Sequence, residues 1–260
     1  MILVDYSKKR LIIADMDGTL TESKAPMDEE MSSLLDQLLL QREFAVIGGG
    51  KYKQFQDQFV AKLIFNPSSL PHLYLFPTCG STFYRFSDGG GEWTQVYAEN
   101  LTEDNKKKIG EAFERALAEW GYEKPEKTYG QIIEDRGTQV TFSALGQEAP
   151  IEFKTAWDPD QRKRLGIKAI MGKYIPEFEI RVGGTTSIDV TRKGIDKAYG
   201  IGKMRQHLGY STGQMLFMGD ALFEGGNDAP AKTTGVDCLQ VSGPSDTKKI
   251  LREIIGSKPA

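Results

Sequence analysis

Cysteine is almost missing from this 260-residue chain; Cys79 and Cys238 are the whole complement. Far apart and without a CxxC spacing, they offer neither a zinc site nor a disulfide framework, and two free thiols in a reducing cytosol are the expectation. Long apolar runs are missing as well. No stretch approaches the roughly 20 residues needed to span a bilayer, and the N-terminal MILVDYSKKRLIIADMDG carries its basic cluster after the first apolar stretch, so a secretory signal is not indicated. Charge of one sign is also lacking. The 33 basic and 36 acidic residues leave a formal charge of -3, which gives no electrostatic reason to bind nucleic acid or an anionic membrane. The absences leave the expectation of a cytoplasmic globular protein and say nothing of its partner. What is present is ordinary in amount, 39% hydrophobic and 27% charged, and at this length one large domain or two modest ones are both open.

Apolar β-type runs alternate with helical patterns. Arg10 to Met16 reads as a buried strand that stops at acidic residues and Gly18. Met27, Met31, Leu34, Leu35, Leu38 and Leu39 then recur at helical spacing, with Asp28, Glu29 and Glu30 where the helix dipole favours negative charge. A second strand, Glu43 to Ile47, runs into Gly48-Gly49-Gly50 and a helical stretch, and Leu73 to Phe76 is a third. Strand and helix in that alternation predict a doubly wound α/β core with a parallel sheet, whose ligands sit beyond the carboxyl ends of the strands. The middle reads differently: a hairpin around Asp88 to Gly91, a charged helix from about Thr102 to Trp120, short strands near Gln131 to Glu134 and Gln139 to Ser143, and a polar helix near Asp158 to Met171. The α/β rhythm returns with a strand at Ser187 to Val190, a helix from Gly194 to Leu208 and a strand from Gln214 to Met218. The expectation is a core of residues 1–81 and 187–260 interrupted by an inserted α+β domain at 82–186.

Four features carry chemistry. Asp15-Met16-Asp17-Gly18-Thr19-Leu20 closes the first strand. Two carboxylates two residues apart face opposite sides of an extended chain, so both converge only where the strand ends, and a shared cation such as Mg²⁺ relieves their repulsion. Taken alone this is compatible with an ordinary acidic turn. Gly219-Asp220, again at a strand end and followed by Glu224-Gly225-Gly226-Asn227-Asp228, returns a third carboxylate to the same edge. Lys197, early on its helix, could offset charge on a phosphoryl group, although a lone helix lysine is usually solvated. Gly48, Gly49 and Gly50 allow backbone N–H groups to approach a phosphate. The run GGGK is not a nucleotide P-loop, because Tyr52 follows Lys51 and Ala45 stands where the earlier glycine is required.

In this order the motifs D-x-D-G-T-L, a small-residue loop, a helix lysine and G-D…G-G-N-D resemble the haloacid dehalogenase superfamily of phosphotransferases. The position of the insert is similar to the α/β cap of the Cof-type and phosphomannomutase-like branch. Gly183 to Val190 followed by Gly194-Ile195-Asp196-Lys197 resembles the G-G-x-x-S-x-D-V…G-x-D-K segment of the eukaryotic-type phosphomannomutases. Three positions depart from them: Gln147 and Lys24 replace arginines, and Gly50 replaces the serine of their G-G-S loop.

The resemblance implies Asp15 as nucleophile, forming an aspartyl-phosphate, and Asp17 as the acid and base that protonates the leaving oxygen and activates the acceptor. It implies Mg²⁺ held by Asp15, by Asp17 through its backbone carbonyl, and by Asp220, with Asn227 and Asp228 orienting that shell. Lys197 would neutralise phosphoryl charge, Gly48 to Gly50 would hold the phosphate, and Lys24, Arg136, Ser187 and Asp189 would contact a sugar phosphate. It also hints at a homodimer through the cap. Because a mutase must hold a second phosphate, the lost guanidinium at Gln147 turns the expectation toward a sugar-phosphate phosphatase. The alternatives are a phosphomannomutase-type phosphohexomutase and, from another class, a noncatalytic phosphosugar-binding regulator.

Overall fold

The computed structural model describes residues 4–23, 25–64, 66–87 and 91–259. Strand β1 (Leu11–Asp15) leads to α1 (Glu29–Leu39), whose N-cap Asp28 accepts from Met31 N at 2.8 Å, as the acidic first turn predicts. There follow β2 (Glu43–Ile47), α2 (Tyr52–Gln58), β3 (Leu73–Phe76), a one-turn segment α3 (Pro77–Gly80), β4 (Thr82–Phe86) and β5 (Trp93–Ala98). The chain then makes α4 (Glu103–Trp120), β6 (Ile133–Asp135), β7 (Gln139–Ser143), α5 (Ile151–Trp157), α6 (Arg162–Tyr174), β8 (Phe178–Gly183) and β9 (Ser187–Arg192). It closes with α7 (Lys197–Leu208), β10 (Met215–Gly219), β11 (Asp237–Gln240) and α8 (Pro244–Gly256).

Two compact units result, residues 1–98 with 195–260 and residues 99–194. The first contains a seven-stranded sheet in the order β11-β10-β1-β2-β3-β4-β5. Its first five strands are parallel and the last two antiparallel. Alternation along β1 supplies both layers of core. Ile12 and Ala14 face a cluster with Leu35, Leu38, Leu251 and Ile254 from α1 and α8, whereas Leu11 and Ile13 face one with Ile201 and Met204 from α7. Helices on both faces make this the doubly wound α/β core that the strand-helix rhythm predicts. Arg42, 4% exposed, ties the ends of this unit together by donating to the carbonyls of Lys9, Tyr6, Ile254 and Ser257.

The second unit has a four-stranded antiparallel sheet, β6-β7-β9-β8. Val140, Phe142, Ile180, Ile188 and Val190 on one face pack with Ile109, Phe113, Ile167 and Met171 of α4 and α6.

Both expected boundaries move. The hairpin strands β4 and β5, expected in the insert, extend the parallel sheet, because β4 pairs antiparallel with β3 through Tyr74–Arg85 and Leu75–Tyr84. The strand at Ser187 to Val190, expected to reopen the core, instead pairs antiparallel with β7 and β8 in the second unit. Its alternation Ser187, Ile188, Asp189, Val190, Thr191 is that of a sheet with one apolar face, not of the continuous apolar strand a parallel core requires. The division thus falls at residues 98/99 and 194/195 instead of 81/82 and 186/187. The hairpin turn at Asp88 to Gly90 lies outside the described residues. No helix among the described residues is long and apolar enough to cross a membrane.

Candidate active site

The parallel strands β1 and β10 are neighbours, so their carboxyl ends bring Asp15 and Asp220 together. Asp228 joins them from the loop after β10: one carboxylate oxygen from each of the three lies within 4.8 Å of the others. Asp15 is 4% exposed and Asp228 is fully buried. Gly18 makes the approach possible. Its φ of +83° is a left-handed conformation, and a Cβ there would stand 2.6 Å from Asp220 Oδ2. Thr19, fully buried, locks the same turn by donating from Oγ1 to Asp220 Oδ1 at 3.2 Å and accepting from Asp220 N at 3.1 Å.

Lys197 is the first residue of α7, whose N-cap Asp196 accepts from Tyr199 N at 2.9 Å. The side chain is fully buried. Its Nζ donates to Asp15 Oδ1 and to Ile47 O, lies 3.0 Å from Asp228 Oδ1 and sits 5.7 Å from the centre of the Phe217 ring. The solvated-helix alternative for this lysine is therefore excluded. Burial alone would depress the ammonium, but the Asp15 and Asp228 carboxylates outweigh it and hold Lys197 above the usual lysine range. Burial pushes the Asp15 carboxyl up against the pull of Lys197, and the carboxylates of Asp228 and Asp17 push the same way as burial. Asp220 is raised too, by burial and then by Asp228. Three carboxylates facing one ammonium leave uncompensated negative charge on hard oxygen donors. That donor set fits a small divalent cation, with Asp15, Asp220 and Asp228 as the residues to hold it.

One expected role shifts. Asp228, assigned to orient the metal shell, belongs with its carboxylate to the cluster itself. Its Oδ2 accepts from Ala221 N at 3.1 Å and its own N donates to Ala221 O at 3.2 Å, a loop closed by the glycines before it. Asp17, assigned to the metal through its backbone carbonyl, has its carboxylate outside this group, which that assignment allows; Gln54 Nε2 donates to Asp17 Oδ2 at 2.9 Å. Asn227 is exposed.

The glycine loop is braced from below. Gly48 N donates to Phe76 O, while Cys79 N and Thr78 N donate to Gly48 O and Gly50 O at 2.8 and 2.9 Å. Gly49 has open space where a Cβ would stand. The supporting residues Thr78 and Cys79 take left-handed backbone, φ 49° and 57°. Sequence reasoning missed Thr19 and Gln54. Thr19 was inside the quoted motif, and Gln54 was signalled only by its place one turn after the glycines.

Arg136, Ser187 and Asp189 lie in the second unit. Asp189 accepts from Thr141 Oγ1 at 2.7 Å, Ser187 and Ser143 hydroxyls are 3.3 Å apart, and Arg136 pairs with Glu134 at 2.8 Å. In the same unit Gln147 Nε2 is buried without a hydrogen-bond partner among the described residues, and the backbone oxygen of Gln147 accepts from the buried Lys154 at 2.6 Å. Lys24 lies outside the described residues.

Comparison with known proteins agrees with the motifs. The family model for eukaryotic phosphomannomutase matches residues 31–257. A phosphomannomutase of Encephalitozoon cuniculi is 27% identical over 92% of this chain and 91% of its own length, and one of Spinacia oleracea is 29% identical over 96% and 98%. The crystal structure of a haloacid dehalogenase-like hydrolase from Bacteroides thetaiotaomicron shares the fold, with a TM-score of 0.64 at 12% identity, over 95% of this chain and 99% of that one. The chain belongs to the eukaryotic phosphomannomutase family.

Proposed function

We propose that the protein moves a phosphoryl group on a hexose phosphate, as a phosphohexomutase of the phosphomannomutase type. The observation that carries this reading is the match of the mutase family model across 31–257, which spans Asp220, Asp228 and Lys197 as well as the inserted unit. The preference for a phosphatase rested on Gln147 and Lys24, where arginines are replaced, and the full-length likeness to mutases outweighs those two positions.

In the proposed reaction a carboxylate oxygen of Asp15 attacks phosphorus in line; the bond to the sugar oxygen breaks and an aspartyl-phosphate forms. The departing sugar oxygen takes a proton from Asp17. In the second half a sugar hydroxyl returns its proton to Asp17 and takes the phosphoryl group, leaving Asp15 free. Lys197 stabilises the charge that collects on the nonbridging oxygens, and Gly49 offers its backbone to the same group. Mg²⁺ at Asp15, Asp220 and Asp228 supplies electrostatic stabilisation of the phosphoryl oxygens when bound. Arg136, Ser187 and Asp189 are the proposed sugar-phosphate contacts of the second unit.

One observation favours a second reading, hydrolysis. Where the mutases carry an arginine, Gln147 buries an amide unpartnered among the described residues and supplies no guanidinium for a second phosphate. Phosphorus NMR of mannose 1-phosphate with Mg²⁺ and a trace of hexose bisphosphate separates the two. The mutase reading predicts a growing mannose 6-phosphate resonance; inorganic phosphate alone overturns it in favour of the phosphatase.

A further inference from the structure

Gln54 reaches Asp17, the residue given the acid and base task, from outside the acidic cluster. It is the third residue of α2, in the first turn after the glycine loop, and both N–H bonds of its amide are committed. Nε2 donates to Asp17 Oδ2 at 2.9 Å and to Gln58 Oε1 at 2.8 Å. Gln58, one helical turn on, is itself 9% exposed. The Asp17 carboxylate sets the orientation of the amide. Turned over, the amide would aim its oxygen at a carboxylate oxygen, so Nε2 faces Asp17 and Oε1 faces away. Oε1 then lies over Gly50, where a Cβ would stand 2.1 Å from it and 2.6 Å from Cδ. The space at Gly50, the position that departs from the mutase loop, is the space the Gln54 amide uses.

We infer that Gln54 is a positioning residue for Asp17: braced by Gln58 and admitted by Gly50, it fixes the Asp17 carboxyl by its Oδ2 so that Oδ1 carries the proton to and from the sugar oxygen. The inference rests on the proposed acid and base role of Asp17. An N–H donor aimed at Oδ2 disfavours a proton in that direction and restrains rotation of the carboxyl. When the phosphoryl group leaves the sugar, the Oδ1–H bond breaks and the sugar oxygen gains the proton. When the acceptor hydroxyl attacks, its O–H bond breaks, Oδ1–H reforms, and the phosphoryl group passes from Asp15 to the new oxygen. Gln54 takes no proton itself, and being neutral it holds the carboxyl without competing with Lys197 for charge.

The test compares two phosphate donors with opposite needs for an acid. A sugar phosphate has a poor leaving group that requires protonation, whereas p-nitrophenolate leaves unaided. Rates of both are measured for wild type and for Gln54→Leu, Gly50→Ala and Asp17→Asn, with Mg²⁺ present. The inference predicts that Gln54→Leu lowers kcat for the sugar phosphate about 10- to 100-fold more than the initial burst of p-nitrophenolate, with KM for the sugar changed by less than about threefold. Gly50→Ala, which leaves Gln54 present but displaces its amide, should show the same selectivity in weaker form. It keeps the test intact if Gln54→Leu folds poorly. Equal slowing of both donors by Gln54→Leu and Gly50→Ala, or of neither, overturns the inference by assigning Gln54 a purely structural part or none. Asp17→Asn separates this from failure of the parent reading: selective loss there with none at Gln54 defeats only the positioning role, while no selective loss at Asp17 removes the acid and base role and the inference with it.

Discussion

Asp15→Asn is expected to leave a folded protein that has lost at least about 10³-fold in turnover. The amide is nearly the shape of the carboxylate, and the backbone of Asp15 keeps its pairing with Ile47. Charge argues the same way for stability. Asp15 is buried beside Asp228 and its carboxyl is held up by that burial, so neutralising it relieves like-charge repulsion even though the ion pair with Lys197 is lost. Chemistry has no such compensation, because an amide cannot take the place of the carboxylate in forming and releasing the acyl-phosphate bond. Circular dichroism and a thermal melt check the fold, and release or transfer of phosphate checks the activity. More than a few per cent of wild-type turnover in a folded variant removes Asp15 as nucleophile.

Lys197→Met should show the next largest loss, about 10²- to 10³-fold in kcat, and unlike Asp15→Asn it should also weaken the fold. Methionine matches the length of lysine but not its charge. The fully buried ammonium contacts Asp15, Asp228 and the Ile47 carbonyl, and removing it leaves two buried carboxylates facing each other. Breaking a buried pair from one side costs about 3 kcal/mol or more, which urea denaturation without added metal measures. Turnover is then read well below the melting temperature, so that lost activity is not lost protein. A folded variant with unchanged kcat contradicts the part given to Lys197 in stabilising phosphoryl charge.

Much of this arrangement was legible in the sequence, because strand ends are marked. The run LIIAD stops at its charge, Gly219-Asp220 repeats the device one strand away in the sheet, and parallel neighbours need no further information to bring both ends to one edge. The placement of Lys197 was less accessible. Sequence alone does not distinguish a lysine on the solvated side of a helix from one at its first turn aimed inward, and the deciding fact is the tertiary position of Asp15 and Asp228. Asp228 itself was placed one step too far from the centre, since the number of residues in a glycine-rich loop does not say how tightly it folds back; here Ala221 and Asp228 pair backbone to backbone and side chain to backbone.

The misplaced domain boundaries have a different cause. Thr82 to Phe86 and Ser187 to Arg192 are each four or more residues of acceptable strand, and which sheet receives them is decided by pairing partners distant in sequence. The alternation of Ser187, Asp189 and Thr191 with Ile188 and Val190 was the available signal for the second. Gln54 left almost no trace, because an i, i+4 pair of glutamines on a short helix is an ordinary surface pattern until Gly50 and Asp17 are seen around it.

The central claim is that phosphate passes through Asp15, and trapping the covalent intermediate tests it most directly. The protein is mixed with a sugar phosphate and Mg²⁺, quenched in acid and reduced with borohydride, which converts an aspartyl-phosphate to homoserine. Peptide mass spectrometry then locates the change. The account predicts homoserine at position 15 in the wild-type chain and nowhere in Asp15→Asn. Homoserine at another aspartate, or phosphate recovered on a serine, threonine or histidine, would contradict it.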